Sequence, residues 1–293
     1  MWEFMAVFVI SYFVHGLGVT IGYHRLLSHR SFVCPKWVEY FWVLAGYLAF
    51  EGSPIWWITV HRAHHKYVDT ILDPHSPRYG LANAHRGWMG HATYPEQMDP
   101  AKQTKDMIRD PLYNFLEQGG RWQKGHALCM AIGLTFRLVI LLCFGWVPAL
   151  ASVLAGFAVL QIPLMLNVIC HLPKLGYKNY ATADDSVNVW WVGLLANGEG
   201  WHNNHHVGPG SAKTGMRPWE VDLSWLVICA MKWLGLATKV NVCTEEQLVR
   251  LAAAKYAKTQ EAPVKPVLRI INGGPVEIHR KLSGTRMKSS AKS

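Results

Sequence analysis

Apolar residues run along this chain in blocks. Three blocks reach the roughly 20 residues that cross a bilayer as a helix: about residues 4–23, 127–147 and 149–170. The first ends directly in His24 and has no basic segment before it, which argues against a cleaved leader. The second carries Arg137 as its one charge, and Pro148 marks a tight turn into the third, predicting a helical hairpin. Two further apolar stretches are broken. Trp37 to Thr59 contains Glu39, Glu51 and Pro54, and Trp219 to Leu236 contains Glu220, Asp222 and Lys232. Both read as interfacial or partly buried helices with tryptophans at headgroup level. The pattern predicts an all-α integral membrane protein. Its main domain covers residues 1–250, with about three transmembrane helices, interfacial helices and a polar cap over 24–126 and 171–250. Residues 251–293 form a basic, mobile tail.

Composition sharpens this picture. Hydrophobic residues make up 51% and charged residues 16%, whereas soluble domains carry roughly a quarter charged residues. The net charge of +10 raises nucleic-acid binding. The basic residues, however, gather beside the apolar blocks and in the tail, which fits anionic headgroups, so a bilayer and no nucleic acid is the expected partner. Arg25, Arg30, Lys36, Arg62 and Lys66 follow the first block, and Lys174, Lys178 and Lys213 follow the third. The turn Trp146 to Ala149 is uncharged. The positive-inside rule then puts the cap and tail in the cytosol and the N-terminus outside. Six cysteines show no CxxC pair, predicting neither a disulfide framework nor a zinc finger.

The candidate chemistry lies in the cap. His24 and His29 follow the first span. His61, His64 and His65 stand at i, i+3 and i+4, as do His202, His205 and His206. Residues at that spacing share a helix face. Asn167 and His171 stand at i, i+4 at the end of the third span. One such cluster is often a polar face or a set of hydrogen-bonded core histidines. Several on one membrane side predict metal binding, and imidazole suits iron, zinc and copper. So many imidazoles predict more than one ion.

These segments also carry a family resemblance. His24-Arg25-Leu26-Leu27-Ser28-His29, His61-Arg62-Ala63-His64-His65 and Gly198-Glu199-Gly200-Trp201-His202-Asn203-Asn204-His205-His206 closely resemble the three histidine boxes of membrane fatty-acyl desaturases, nearest to the delta-9 group. Gly52-Ser53-Pro54-Ile55, Asp73-Pro74-His75-Ser76-Pro77, His85-Arg86-Gly87-Trp88 and Asn167-Val168-Ile169-Cys170-His171 are similar to that family's linking segments, and the resemblance runs from about Ser11 to Val240. It implies two iron ions held by His24, His29, His61, His64, His65, His171, His202, His205 and His206, with Asn167 acting through a water; zinc is expected as a replacement in a purified sample. It also implies O2-dependent insertion of a cis double bond, at the ninth carbon, into a saturated acyl chain on CoA or a lipid. Members of the family carry a membrane helix before the first box, so the expectation here is a partner helix lost through a late start or a truncation.

Removing hydrogen from an unactivated methylene is beyond acid–base side chains, so the metal carries the hard step. Asp69, Asp73, Asp185, Glu199, His75 and His85 are candidates to support the ligands, and Glu199 also to bind metal directly. Trp56, Trp57, Trp190, Trp191 and Trp201 are candidates to line an acyl tunnel, with interface anchoring as the plainer reading. His15, inside the first span, is expected to face the site or the lost helix. His91, His126 and His279 are expected to face solvent. No nucleotide-binding fingerprint or cytochrome-like module is present, so electrons are expected from a separate donor of ferredoxin or cytochrome b5 type. The rivals are a di-iron lipid or alkane hydroxylase and, in another class, a metal-binding or transport protein.

Overall fold

The computed structural model describes residues 1–90 and 98–261. Helix α1 (Trp2–Leu17) runs without a break into a π-helical segment, Gly18–Ser28. Then come α2 (Lys36–Tyr47), α3 (Pro54–Tyr67) and three short helices, α4 (Leu81–His85), α5 (Pro100–Gln103) and α6 (Pro111–Glu117). The long hairpin follows, α7 (Trp122–Phe144) with α8 (Trp146–Ile169). The described residues end with α9 (Trp190–Leu195), α10 (His202–Val207), α11 (Leu223–Trp233) and α12 (Glu245–Glu261). Among the described residues there are only isolated β-bridges and no strand. Three helices are long and apolar enough to cross a membrane: Trp2–Ser28, Trp122–Phe144 and Trp146–Ile169.

Helices α3, α5 and α6 start by one device. Ser53, Asp99 and Asp110 each precede a proline, and each side chain accepts a backbone N–H of the first turn. A Ser or Asp N-cap satisfies an orphan donor, and proline at N1 has no N–H to lose. The hairpin turn differs from the sequence expectation. It falls at Gly145, whose φ of 89° suits glycine. Pro148 instead sits in the first turn of α8, where its missing N–H costs nothing. The stretch from Trp37 to Thr59 is not one helix either. The chain leaves α2 and turns through Phe50 and Gly52, both at positive φ, before Ser53 caps α3. Helix α12 continues through the expected tail boundary at 251, with Leu248 and Ala252 packed on Tyr180 and Val207. The rest of the expected tail, with His279, and also His91, lie outside the described residues.

Backbones approach closely where the first span meets α2. A Cβ on Gly22 would stand 2.8 Å from the Trp42 carbonyl carbon. The core behind this contact joins Ile21, Tyr23, Val43, Tyr47, Ile55 and Ile58. Inside the hairpin, Arg137 is buried, although a charge at mid-bilayer costs roughly 3 kcal/mol or more. It donates to the Gly133 carbonyl (3.1 Å) and the Ser152 carbonyl (3.4 Å), and its guanidinium lies 4.6 Å from the Phe50 ring centre. Its Nη2 also lies 3.3 Å from His15 Nε2. Arginine only donates, so His15 Nε2 accepts and its Nδ1–H donates to the Ala45 carbonyl (2.8 Å). His15 therefore serves this buried cation and not the histidine cluster, correcting the sequence expectation. Outward-facing Leu138, Val139, Leu142, Leu150 and Leu154 leave the hairpin an exposed apolar surface.

Overpacking a tight contact costs about 1–3 kcal/mol. Gly22→Ala is therefore expected to lower the thermal unfolding midpoint of the detergent-solubilised protein, and an unchanged midpoint would contradict the close approach.

Candidate metal centre

The π-helical segment explains the five-residue spacing of the first box. In an α-helix, residues five apart point about 140° away from each other. Here the i→i+5 pattern, closed by the His29 N–H on the His24 carbonyl (3.1 Å), brings the two rings to a centroid distance of 4.8 Å. In α3, His61 and His65 join them. His64, from the same helix, turns to a second group with His171, just past the end of α8. The third box divides likewise: His205 joins the first group, while His202 and His206 join the second. The result is a five-histidine set (His24, His29, His61, His65, His205) and a four-histidine set (His64, His171, His202, His206), each with ligand atoms within 4.8 Å of one another.

The nitrogens converge through Nε2. His24 and His205 approach to 3.1 Å, His29 and His61 to 2.8 Å, His65 and His205 to 2.9 Å, His171 and His202 to 3.2 Å, and His64 and His206 to 3.4 Å. Two nitrogens bound at right angles to one ion at about 2.1 Å stand roughly 3.0 Å apart, and at tetrahedral angles roughly 3.4 Å. The donor sets therefore fit a metal ion each. Asn167 lies beside them, its Nδ2 3.5 Å from His75 Nε2.

Carboxylates hold the outer ring nitrogens. His64 Nδ1 donates to Asp73 (3.0 Å), and His171 Nδ1 donates to Asp69 (3.1 Å). His24 Nδ1 lies 2.6 Å from Glu199 Oε2. A carboxylate on Nδ1–H fixes the tautomer that leaves the Nε2 lone pair free. The other oxygen of Glu199 accepts from Arg25 Nε and Nη2 (3.1 and 3.0 Å), so the carboxylate bridges His24 and Arg25. Burial pushes the pKa of His61, His65, His202, His205 and His206 well below the ordinary value, keeping these rings in the neutral, metal-binding form. Burial opposes the charge of Asp73, but His64 beside it holds that carboxyl down to about 2. Asp69 and Glu199 are lowered against the same burial, Asp69 by His171 and Glu199 by His24 and Arg25.

Helix α10 has six residues, too few to persist alone. Amide side chains clamp it. Asn188 Oδ1 accepts from the Asn203 and Asn204 N–H groups (3.0 and 3.3 Å), and Asn204 Nδ2 donates to Glu220 (2.8 Å) and the Thr214 carbonyl (2.9 Å). Asn188, Asn203, Asn204, Glu220 and Arg25 were missed from the sequence. The available signal was the polar pair Asn203-Asn204 inside a box that must be buried.

A cavity of about 380 Å³ opens beside the centre, lined by Phe50, Trp56, Trp57, His61, Leu164 and Asn167 among others. A smaller one of about 50 Å³ touches both sets through His24, His61 and His202, and shares Trp57, His61, Pro163 and Asn167 with the larger. Trp57 stacks on His61 (5.1 Å) and donates to Glu51 (3.1 Å), whose carboxyl burial pushes up into the neutral form. His126, expected in solvent, is packed edge-on against Trp56 at 4.4 Å and lines the larger cavity. Trp190 and Trp191 lie exposed on α9 and line neither cavity, while Trp201 is buried with its Nε1 on the Val221 carbonyl. Asp185 supports Asp69 through its backbone N–H (2.8 Å), its carboxylate being paired with Arg78. His75 packs on His64 (4.4 Å), whereas His85 bonds Gln161 instead (3.2 Å). All six cysteines are free.

Residues 1–222 match the family model described as fatty acid desaturase. The chain is 40% identical over 248 residues to an sn-1 stearoyl-lipid 9-desaturase of Anabaena variabilis, covering 84% of this chain and 87% of that protein. It is 36% identical over 257 residues to delta-9 acyl-lipid desaturase 1 of Arabidopsis thaliana, covering 87% and 80%. It is also 37% identical over 234 residues to an acyl-CoA 5-desaturase of Anemone leveillei, covering 78% and 68%.

Acid should weaken the metal-free fold. The unfolded chain takes up protons near pH 6.5 that these buried imidazoles refuse. Their contribution is thus complete above that pH and declines as pH falls. The thermal midpoint of metal-free protein at a fixed scan rate is expected to be lower at pH 5.5 than at pH 7.5. Equal midpoints would contradict neutral burial.

Proposed function

Since this chain belongs to the fatty acid desaturase family, we propose that it places a cis double bond at the ninth carbon of a saturated acyl chain carried by a membrane lipid, using two iron ions and O2. The observation that supports this reading best is the pair of imidazole sets opening, through Trp57, His61 and Asn167, onto a cavity of about 380 Å³ whose walls are mostly apolar. The balance is one acyl chain, one O2, two electrons and two protons, giving one alkene and two waters. Bound iron supplies the reduction of O2 to an oxidant able to take hydrogen from a methylene.

The chain's own residues do the rest. His24, His29, His61, His65 and His205 hold one ion. His64, His171, His202 and His206 hold the other, with Asn167 acting through a water. Asp69, Asp73 and Glu199 keep the rings turned inward. Trp56, Trp57, Trp88 and Leu164 enclose the acyl chain and exclude water, and Trp57, fixed by its bond to Glu51, presents that chain to His61. The 9-position and the lipid carrier rest on the relatives named for them at 40% and 36% identity.

The three apolar helices span the bilayer in this reading, with their exposed leucines and valines against lipid. The basic residues that follow the first and third of these helices support a cytosolic cap. Electrons come from a separate carrier of ferredoxin or cytochrome b5 type. His65 and His206, one from each set, line a depression of mixed charge with Lys66, Arg78, Lys255, Asp69 and Asp184, and a donor docked there would stand against a ring of each set.

Expression in a host with a defined lipid pool, followed by double-bond mapping, tests the reading. Unsaturation between carbons 9 and 10 of lipid-bound chains is expected. Hydroxylated acids without alkenes would point to a hydroxylase. His64→Ala and His205→Ala should each abolish the product while the protein still inserts; near-normal product in either variant removes that residue from the ligand set.

A further inference from the structure

The two sets differ in more than ligand number. In the four-histidine set, two rings carry a carboxylate on Nδ1: His64 on Asp73 and His171 on Asp69. Neutral donors hold those carboxylates otherwise. Asp73 accepts the Asp69 and His75 N–H groups (2.8 and 3.1 Å), and Asp69 accepts Ser76 Oγ (2.7 Å) and the Asp185 N–H (2.8 Å). Arg78, nearby, spends its charge on the Asp185 carboxylate and reaches only the Asp69 main-chain carbonyl. Two negative charges therefore face the ion that this set would hold. In the five-histidine set, one carboxylate, Glu199, touches one ring, and it shares the buried Arg25 guanidinium with Asp222, so one positive charge stands between two carboxylates. His205, in that same set, has a buried Nδ1 with no partner. All four rings of the smaller set are buried, while His29, His61 and His65 of the larger are only partly so.

From this asymmetry, and resting on the two-metal reading above, we propose that the ions bind in order: the first occupies the four-histidine set, and the five-histidine set fills second. A divalent cation far from water is held by whatever cancels its charge. Asp69 and Asp73, both on ligand rings, cancel it at the smaller set, whereas at the larger set Glu199 and Asp222 share one guanidinium and only Glu199 reaches a ring. The fifth imidazole works the other way, because it replaces a water. Each outer support is worth roughly 10–100-fold in affinity. Two unneutralised supports with complete burial outweigh one extra neutral ligand, so the first ion should bind at least about tenfold more tightly than the second.

Zinc alone is a sufficient probe, with no turnover required. Metal-free full-length protein given one equivalent of Zn²⁺ is crystallised, and the ion is located by anomalous scattering. Density among His64, His171, His202 and His206 is expected. Density at the five-histidine set, or equal density at both, overturns the order. A zinc isotherm adds a second reading. Asp73→Asn should weaken the tighter step about 10–100-fold and spare the other, while Glu199→Gln should weaken only the looser step. The opposite pattern also overturns the proposal, and where either variant fails to fold, the one-equivalent measurement on the unaltered protein decides. Saturation at a single zinc per chain removes the two-metal reading itself. Saturation at two, with the first in the larger set, removes only the order.

Discussion

Imidazole nitrogens held about 3 Å apart with their lone pairs converging repel one another unless a cation or a shared proton stands between them. That crowding is the constraint on which the rest of the structure depends. It requires neutral rings, which burial supplies, and fixed tautomers, which Asp69, Asp73 and Glu199 supply. It also requires four separated pieces of chain to meet at one depth. The π-helical end of the first span, the end of α3, the residue after α8 and the short α10 each bring nitrogens that none could assemble alone. Their rigidity is borrowed: α10 is clamped by Asn188, Asn204 and Glu220, and Glu199 is clamped by Arg25.

The same arrangement accounts for the composition of the cap. In the proposed reading the centre must exclude water and admit an acyl chain, and it does lie where the long apolar helices end and polar support begins. Trp56, Trp57 and Phe50 form the greasy side, and the Asn–Glu–Arg network forms the other. Arg137 and His15 show the cost of carrying a charge inside the hairpin. Both terminal nitrogens of the guanidinium are placed on a carbonyl or imidazole, Nε is left without a partner, and Phe50 covers its face.

The histidine spacing was legible because i, i+3, i+4 patterns survive any tertiary context, and because the family boxes are specific. The division of each triad between two sets was not, since it depends on which rings of α3 and α10 meet in space. The π-helix was equally hidden: a gap of five looks wrong for an α-helix, and no residue type announces the wider turn. Pro148 drew attention from Gly145, although a proline is as welcome just inside a helix as in a turn. Trp190 and Trp191 were grouped with Trp56 and Trp57 by proximity to a box, yet nearness in sequence does not decide which side of a helix faces a cavity. His126 was dismissed for lack of a motif, and only the packing of α7 on α3 brings it to Trp56.

X-ray absorption on the iron-loaded protein tests the central claim most directly. Two irons per chain with first shells dominated by nitrogen at about 2.1 Å, and strong imidazole scattering beyond, are what convergent histidines predict. A shell dominated by carboxylate oxygen, or one iron per chain at saturation, would contradict the account.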